Sequence, residues 1–281
     1  MAHILALSSW VAHGHVGLSA AAPVLQILGH TVTQLPTVQL SNHPGFDQVA
    51  GREVEIDTLH AIIGAVDANG WLDTVDTILT GYLPSAGHVD VAVGLIERFE
   101  AMRPRVIVDP VLGDSPKGLY IARDAAEALR DRLVPKADIM TPNAFELSWL
   151  TDRAVDTPSA AADAARDLER RAPGVEVLVT SAPFEEAQTG VLAVTPTRAA
   201  AFRTPGASPG DLVPQGVGDA FSALIAAGMP TGRALGCLQT LIEHSLGAAH
   251  LRIAQTAPHW TNANPIEATL HAPLTGTGDP R

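Results

Sequence analysis

Short apolar runs and Ala-rich stretches of helical period alternate along the chain from its start. His3–Ser9 reads as a buried strand, Gly17–Leu28 as a helix stopped by Gly29, and Thr31–Pro36 as a second strand. Val54–Ala68 is helical with Asn69-Gly70 as its stop, Thr77–Thr80 is a short strand ending at Gly81, and Val89–Met102 is a helix ended by Pro104. Arg105–Asp109 is a β-branched strand closed by Pro110, Arg123–Leu133 a helix, and Ala137–Met140 a strand. Helices are expected over Ala144–Leu150, Ser159–Arg171, Val217–Gly228 and Arg233–Ile253, and strands over Val175–Thr180, Gly190–Val194 and Arg198–Phe202. The last two strands lie close enough for a hairpin or an antiparallel edge. From about Ala254 the chain is rich in Pro, Thr, Asn and Gly and reads as a tail, with its last ten residues poorly ordered.

Strand–helix–strand alternation at this spacing predicts a mostly parallel sheet covered by helices on both faces. Ligands then sit beyond the carboxyl ends of the strands. Ser8-Ser9, Thr80-Gly81-Tyr82, Asp109-Pro110 and Thr141-Pro142-Asn143 all fall at such ends and should share one sheet edge. No Pro/Gly/Ser-rich linker divides the chain, so 1–281 is expected to be one domain.

Composition narrows the chemistry. The 281 residues are 46% hydrophobic and 17% charged, enough apolar material for a large core. A formal charge of −12 disfavours nucleic acid as a partner. The single cysteine, Cys237, excludes an internal disulfide and reads as a small buried hydrophobe. The start lacks the basic, apolar pattern of a signal peptide, and no run of about 18 apolar residues suggests a membrane span. A cytoplasmic protein is the expectation. Lys117 and Lys136 are the only lysines, and neither follows a Gly-rich loop in the P-loop pattern. No GxGxxG follows the first strand, which removes the dinucleotide-binding turn.

Gly216-Val217-Gly218-Asp219 carries the strongest chemical signal. The glycines let the backbone turn so that N–H groups face outward, and the following helix adds its positive end. Such an anion hole suits the charge on a transferring phosphoryl group. Asp219, in the first helical turn, can take a proton from an attacking alcohol, and the helix end is expected to hold its pKa low. Gly276-Thr277-Gly278-Asp279 has the same spacing but no helix after it and belongs to the tail. At the end of a buried strand, Asp109 with Asp114 beyond a Gly loop offers oxygen ligands of the kind Mg²⁺ takes. Asn143 and Glu146 have capping-box spacing, and Glu146 can at the same time order a metal-bound water. His13-Gly14-His15 has no nearby acid or cysteine to complete a transition-metal site and reads as a loop or substrate-contacting element.

In their order along the chain these pieces resemble the pyridoxal kinases of the ribokinase-like superfamily. The resemblance runs from Ile4 to about Ala249: Ser9…Gly14-His15-Val16-Gly17, Thr37-Val38-Gln39-Leu40-Ser41-Asn42-His43, Gly81-Tyr82-Leu83, Asp109-Pro110-Val111-Leu112-Gly113-Asp114, Pro142-Asn143-Ala144-Phe145-Glu146-Leu147 and Gly216-Val217-Gly218-Asp219. It implies a three-layer α/β/α sandwich, a homodimer, ATP as co-substrate and Mg²⁺ as cofactor. It implies Asp219 as base on the 5′-hydroxyl of pyridoxal, with Gly216, Val217 and Gly218 supplying the anion-hole amides. Ser9, His43, Pro44, Gly45 and Tyr82 would line the substrate pocket, and Asp109 and Glu146 would hold Mg²⁺ and its waters. Thr141, Thr180 and Thr204-Pro205-Gly206-Ala207 would lie along the nucleotide. Hydroxymethylpyrimidine kinases look similar but usually carry Cys where Asp219 stands. A non-catalytic carrier of vitamin B6 is the alternative from another class. Departures from the family are Thr180 where Lys or Thr is frequent, so that the phosphate contact of a Lys is missing, Val213-Pro214-Gln215 where Gln-Pro-Val is commoner, and Trp10 where His is common.

Overall fold

Strand β1 (His3–Val11) shows why the sheet must be covered twice. Ile4 and Ala6 enter one core, Leu5 and Leu7 the other, following the two-residue period of a strand. Val106 and Val108 against Ile107, and Val177 and Val179 against Leu178, divide in the same way. Strands with both faces apolar need helices on both sides.

The computed structural model describes residues 1–185, 187–208 and 210–270. After β1 come α1 (Leu18–Ile27), β2 (Thr31–Leu40), β3 (Gly51–Glu53), α2 (Ile56–Ala68), β4 (Thr77–Thr80), α3 (Ala86–Arg98) and β5 (Arg105–Val108). A small hairpin, β6 (Gly113–Asp114) and β7 (Gly118–Leu119), precedes α4 (Arg123–Ala128), β8 (Ile139–Met140), α5 (Ala144–Thr151) and α6 (Pro158–Glu169). The chain ends with β9 (Glu176–Thr180), β10 (Gln188–Val194), β11 (Ala199–Pro205), α7 (Val217–Ala226), α8 (Thr231–Glu243), α9 (Ala257–Trp260) and β12 (Ala268–Leu270).

The ten-stranded sheet runs β12-β11-β10-β9-β8-β5-β4-β1-β2-β3. Its centre, β2-β1-β4-β5-β8-β9, is parallel, and β10, β11, β12 and β3 add antiparallel edges. Helices α2 to α6 pack on one face, and α1, α7, α8 and α9 on the other. Because β1 has β2 on one side and β4 on the other, the chain reverses its lateral direction there. That reversal opens a crevice at the carboxyl ends of β1 and β4.

Most expected elements form within a few residues of their expected bounds, and the 190–202 hairpin is present. Four expectations are corrected. The first strand runs through Ser8-Ser9 to Val11, because pairing with β2 continues to Val11↔Leu40. The third helix starts at Ala86, where the Ser85 side chain caps it, and ends at Arg98. The stretch 123–133 is α-helical only to Ala128 and then widens into a π turn over Leu129–Leu133. The last long helix ends at Glu243, ten residues short of Ile253, where Ser245 turns back to accept from the Arg252 amide at 3.0 Å and Gly247 takes a positive φ of 71°.

The stretch read as a tail from 254 is in part core. Trp260 is 1% exposed, and its indole N–H donates to the Ile253 carbonyl at 2.8 Å. β12 then pairs with β11. The expected disorder of the last ten residues, and Gly276–Asp279, lie outside the described residues.

Candidate active site

The turn before α7 is built around Gly216, whose φ is 92°. A Cβ there would overlap the carbonyl oxygen of His15, so only glycine lets the loop after β1 and the start of α7 meet. No side chain caps this helix. Its first internal bond is from the Ala220 amide to the Gly216 carbonyl at 2.9 Å, so the amides of Val217, Gly218 and Asp219 precede the hydrogen-bond ladder. A Cβ on Gly218 would meet nothing within 4 Å, which places this residue beside open space.

Asp219 is half-buried in that first turn, and its carboxylate accepts from the Gly17 amide and from its own. Burial nevertheless pushes its pKa up to about 6, above the ordinary carboxylate range. The expectation of a pKa held low is therefore corrected: the desolvation cost outweighs the favourable helix end.

Asp219 shares a cavity of about 10 Å³ with Asp109, Ser8, Thr80 and Gly81. That is room for about one water molecule. Asp109, just past β5, is 7% exposed. Its Oδ2 accepts from Ser222 Oγ at 2.8 Å, and Ser222 Oγ lies 2.8 Å from Thr141 Oγ1. Burial first, and then the nearby negative charge of Asp219, raise the Asp109 pKa to about 7. Ser222 stands one helical turn after Asp219, on the same face of α7. Its serine-in-an-apolar-helix pattern is the signal that could have marked it in the sequence.

Glu146 is 4% exposed and caps α5. Its Oε2 accepts from the Asn143 amide at 2.8 Å, its Oε1 from the Leu112 amide at 3.1 Å, and Asn143 Oδ1 accepts from the Glu146 amide at 2.9 Å. The expected capping box is thus complete and also ties α5 to the loop after Asp109. Burial, then the charge of Asp109, lift the Glu146 pKa well above the usual range. Asn143 Nδ2 donates to the Gly113 carbonyl at 2.9 Å.

Thr180 ends β9 with its amide on the Pro142 carbonyl at 2.8 Å, beside the Thr141 loop. Strand β11 runs parallel to β9 through the antiparallel β10, so Thr204 and Pro205 leave the sheet at the same edge. Thr204 is buried and the Gly206 amide donates to the Ala187 carbonyl at 2.9 Å, while Pro205 and Ala207 are exposed.

On the other side of the crevice Ser8, marked in the sequence only as a strand end, accepts from the Tyr82 amide at 3.0 Å. Ser9 sits where the pairing of β1 with β2 shifts register and lies against Gly17. Tyr82 is half-buried, and its carbonyl accepts from Thr37 Oγ1 at 2.7 Å. His43 accepts from the Gly45 amide at its Nδ1 (3.0 Å) and is half-buried, with Pro44 and Gly45 exposed. Burial and the nearby positive Lys117 lower the His43 pKa. His13 meets a histidine the sequence did not link to it: its ring lies edge-on to His250 at 4.9 Å. Among the described residues no group of three or more His, Cys, Asp or Glu is arranged to hold a metal ion.

The structure thus joins Gly216–Asp219, Asp109, Thr141 and Glu146 into one cluster. Ser9, His43 and Tyr82 lie towards β1, β2 and β4, and Thr180 and Thr204 towards β9 and β11.

Comparison with known proteins bears on the family and the fold. A family model for phosphomethylpyrimidine kinase matches residues 25–237. The chain is 38% identical over 233 residues to pyridoxal kinase PdxY of Deinococcus radiodurans, covering 79% of this chain and 77% of the relative. It is 38% identical over 238 residues to a pyridoxine/pyridoxal/pyridoxamine kinase of Bordetella avium, covering 83% and 79%. Pyridoxal kinase of Entamoeba histolytica superposes with a TM-score of 0.87 at 27% identity, over 96% of this chain and 99% of that one. Pyridoxal kinase of Leishmania donovani in complex with ADP and pyridoxamine gives 0.87 at 26% identity over the same shares. With a ribokinase-like fold, a matching family model and these relatives, the chain belongs to the pyridoxal kinase family.

Proposed function

We propose that this protein transfers the γ-phosphoryl group of ATP to the 5′-hydroxyl of pyridoxal, giving pyridoxal 5′-phosphate and ADP. One observation carries the reading: Asp219 stands in the first turn of α7 beside the uncapped amides of Val217 and Gly218, sharing a cavity with Asp109. In this reading Asp219 accepts the proton of the 5′-hydroxyl while that oxygen bonds to the γ-phosphorus. The bond from phosphorus to the β–γ bridging oxygen breaks, and ADP departs with its electrons. The amides of the 216–218 turn take the charge on the migrating group. Kinases named for pyridoxal among the relatives, and the Leishmania donovani complex with ADP and pyridoxamine, support the substrates.

Ser9, His43, Pro44, Gly45 and Tyr82 form the pyridoxal side in this reading. Thr141, Thr180 and Thr204–Ala207 form the nucleotide side. The donor set fits Mg²⁺. Asp109 and Glu146 are hard oxygen ligands whose pKa values are raised by burial first, and then by the charge of Asp219 on Asp109 and of Asp109 on Glu146. Mg²⁺ characteristically takes one or two carboxylates and completes its shell with water and phosphate oxygens. Both Glu146 oxygens already accept backbone amides, so Asp109 would hold the ion and Glu146 would order its waters. When bound, the ion supplies positive charge along the phosphates. The working form is taken as a single-domain, cytoplasmic homodimer.

A second reading, phosphorylation of hydroxymethylpyrimidine on the same site, is favoured by the name of the matching family model. The test is ADP release with pyridoxal, pyridoxine, pyridoxamine and hydroxymethylpyrimidine, each with and without Mg²⁺. Turnover that needs Mg²⁺ and is fastest with pyridoxal supports the proposal. Tight pyridoxal binding without ADP release would establish a non-catalytic carrier, and turnover confined to hydroxymethylpyrimidine the second reading.

A further inference from the structure

At the sheet edge opposite Asp109 and Asp219 lies a second cavity, of about 690 Å³. Its size is that of pockets that take small organic ligands. The sheet contributes Ile139, Leu178 and Phe202, and the turn from α7 into α8 closes over them. This turn holds Met229 and Pro230, and no side chain caps α8 behind it.

Arg105, the first residue of β5, faces this cavity. One guanidinium nitrogen, Nη2, donates to the Ile225 carbonyl at 2.6 Å. Its Nε is buried and finds no acceptor among the described residues. The Ile225 carbonyl takes one of the five guanidinium donors, which leaves others for a ligand oxygen. Arg198 lines the cavity from the exposed turn before β11. Arg233 lines it too, but spends its donors on the Thr261 and Ala263 carbonyls. Glu176 and Glu267 are the acids of the lining. They set a limit on the charge of the occupant: one anionic head fits beside Arg105 and Arg198, and a polyanion would meet both acids.

We propose that this cavity is a second binding site, for a small amphipathic anion. Its carboxylate or phosphate head lies against Arg105 and Arg198, and its apolar body over Ile139, Leu178 and Phe202. Guanidinium donors pair with such heads in a fixed planar geometry, and the apolar floor supplies burial.

The site has a mechanical route to the other edge. β5 begins at Arg105 and delivers Asp109, while α7 begins beside Asp219 and ends at Ala226. The Arg105–Ile225 bond ties these two elements at one end, and the Asp109–Ser222 bond ties them near the other. A head group that takes the guanidinium competes with the Ile225 carbonyl and acts on how α7 sits against β5.

The test is calorimetric titration of the full chain with 3-phenylpropionate and phenyl phosphate, with 3-phenylpropan-1-ol as the neutral control. The anions should bind about tenfold or more tighter than the alcohol, the effect of one charge-assisted hydrogen bond. Binding should persist when a non-hydrolysable ATP analogue and pyridoxal are present. Ala200→Trp fills the cavity from β11 and should abolish binding, and Arg198→Gln, on an exposed turn, should weaken it. Equal binding of anion and alcohol, displacement by the ATP analogue, or unchanged binding in both variants overturns the site. The coupling is read separately: saturating 3-phenylpropionate should change kcat with pyridoxal by about twofold or more without competing with ATP. An unchanged kcat overturns the coupling alone.

Discussion

Ser222 Oγ donates to Asp109 Oδ2 at 2.8 Å and so fastens the helix that carries Asp219 to the strand that delivers Asp109. A single turn of α7 thereby does two jobs. Asp219 faces the cleft, and three residues later Ser222 holds the second acid in place and reaches Thr141 Oγ1 as well.

Removing that hydroxyl should show the link. Ser222→Ala leaves a buried carboxylate short of a donor, a loss of about 1.5–3 kcal/mol for a bond to a charged group. The Asp109 pKa, which this bond lowers, should rise further from about 7. We expect kcat to fall about tenfold or more, with the acid limb of the pH–rate profile moved upward and KM for pyridoxal little changed. A profile unchanged in position would show that Ser222 does not act through Asp109.

Asp219→Asn separates stability from activity. The Asp219 pKa is raised from 3.8 to about 6 in the folded protein, so its contribution to stability is complete below pH 3.8 and is lost as pH rises through about 6. The amide carries no charge to desolvate. The variant should therefore unfold at a higher temperature than the parent at pH 8, by a few degrees (about 2–4 °C per kcal/mol), and show no such gain at pH 3. Its turnover should drop by about 10²–10⁴. In the parent, kcat/KM should fall as pH drops below about 6, because the base must be ionised to accept a proton.

The two glycines of the turn should respond in opposite ways. Gly218→Ala meets open space, so thermal stability should hold, yet a methyl group beside the amides should cut kcat about tenfold or more. Gly216→Ala forces a positive φ and a clash with the His15 carbonyl, and should cost about 1–3 kcal/mol in denaturant unfolding. Full activity in Gly218→Ala would place the phosphoryl group elsewhere.

Trp260 tests how far the core extends. Its side chain is 1% exposed and bonded to the Ile253 carbonyl, so Trp260→Ala should destabilise by about 3–5 kcal/mol in urea unfolding. A change near zero would return this segment to the status of a tail.

Local order was legible from residue type and spacing alone. The uninterrupted apolar runs in His3–Leu7 and Val106–Val108 announce buried strands. The Asn143–Glu146 spacing announces a capping box, and Gly216-Val217-Gly218-Asp219 announces a glycine turn into a helix. These are short-range properties, set by backbone sterics and by groups a few residues apart. What only the tertiary structure decided lies between distant segments. Ser222 became the partner of Asp109, Ser8 that of Tyr82, and His250 that of His13, because sheet order and helix packing brought them together. The Asp219 pKa went the same way. The helix end that argued for a low value is local, but the loss of water around the carboxylate depends on Gly17, Leu18 and the strand ends that enclose it, and that loss is the larger effect.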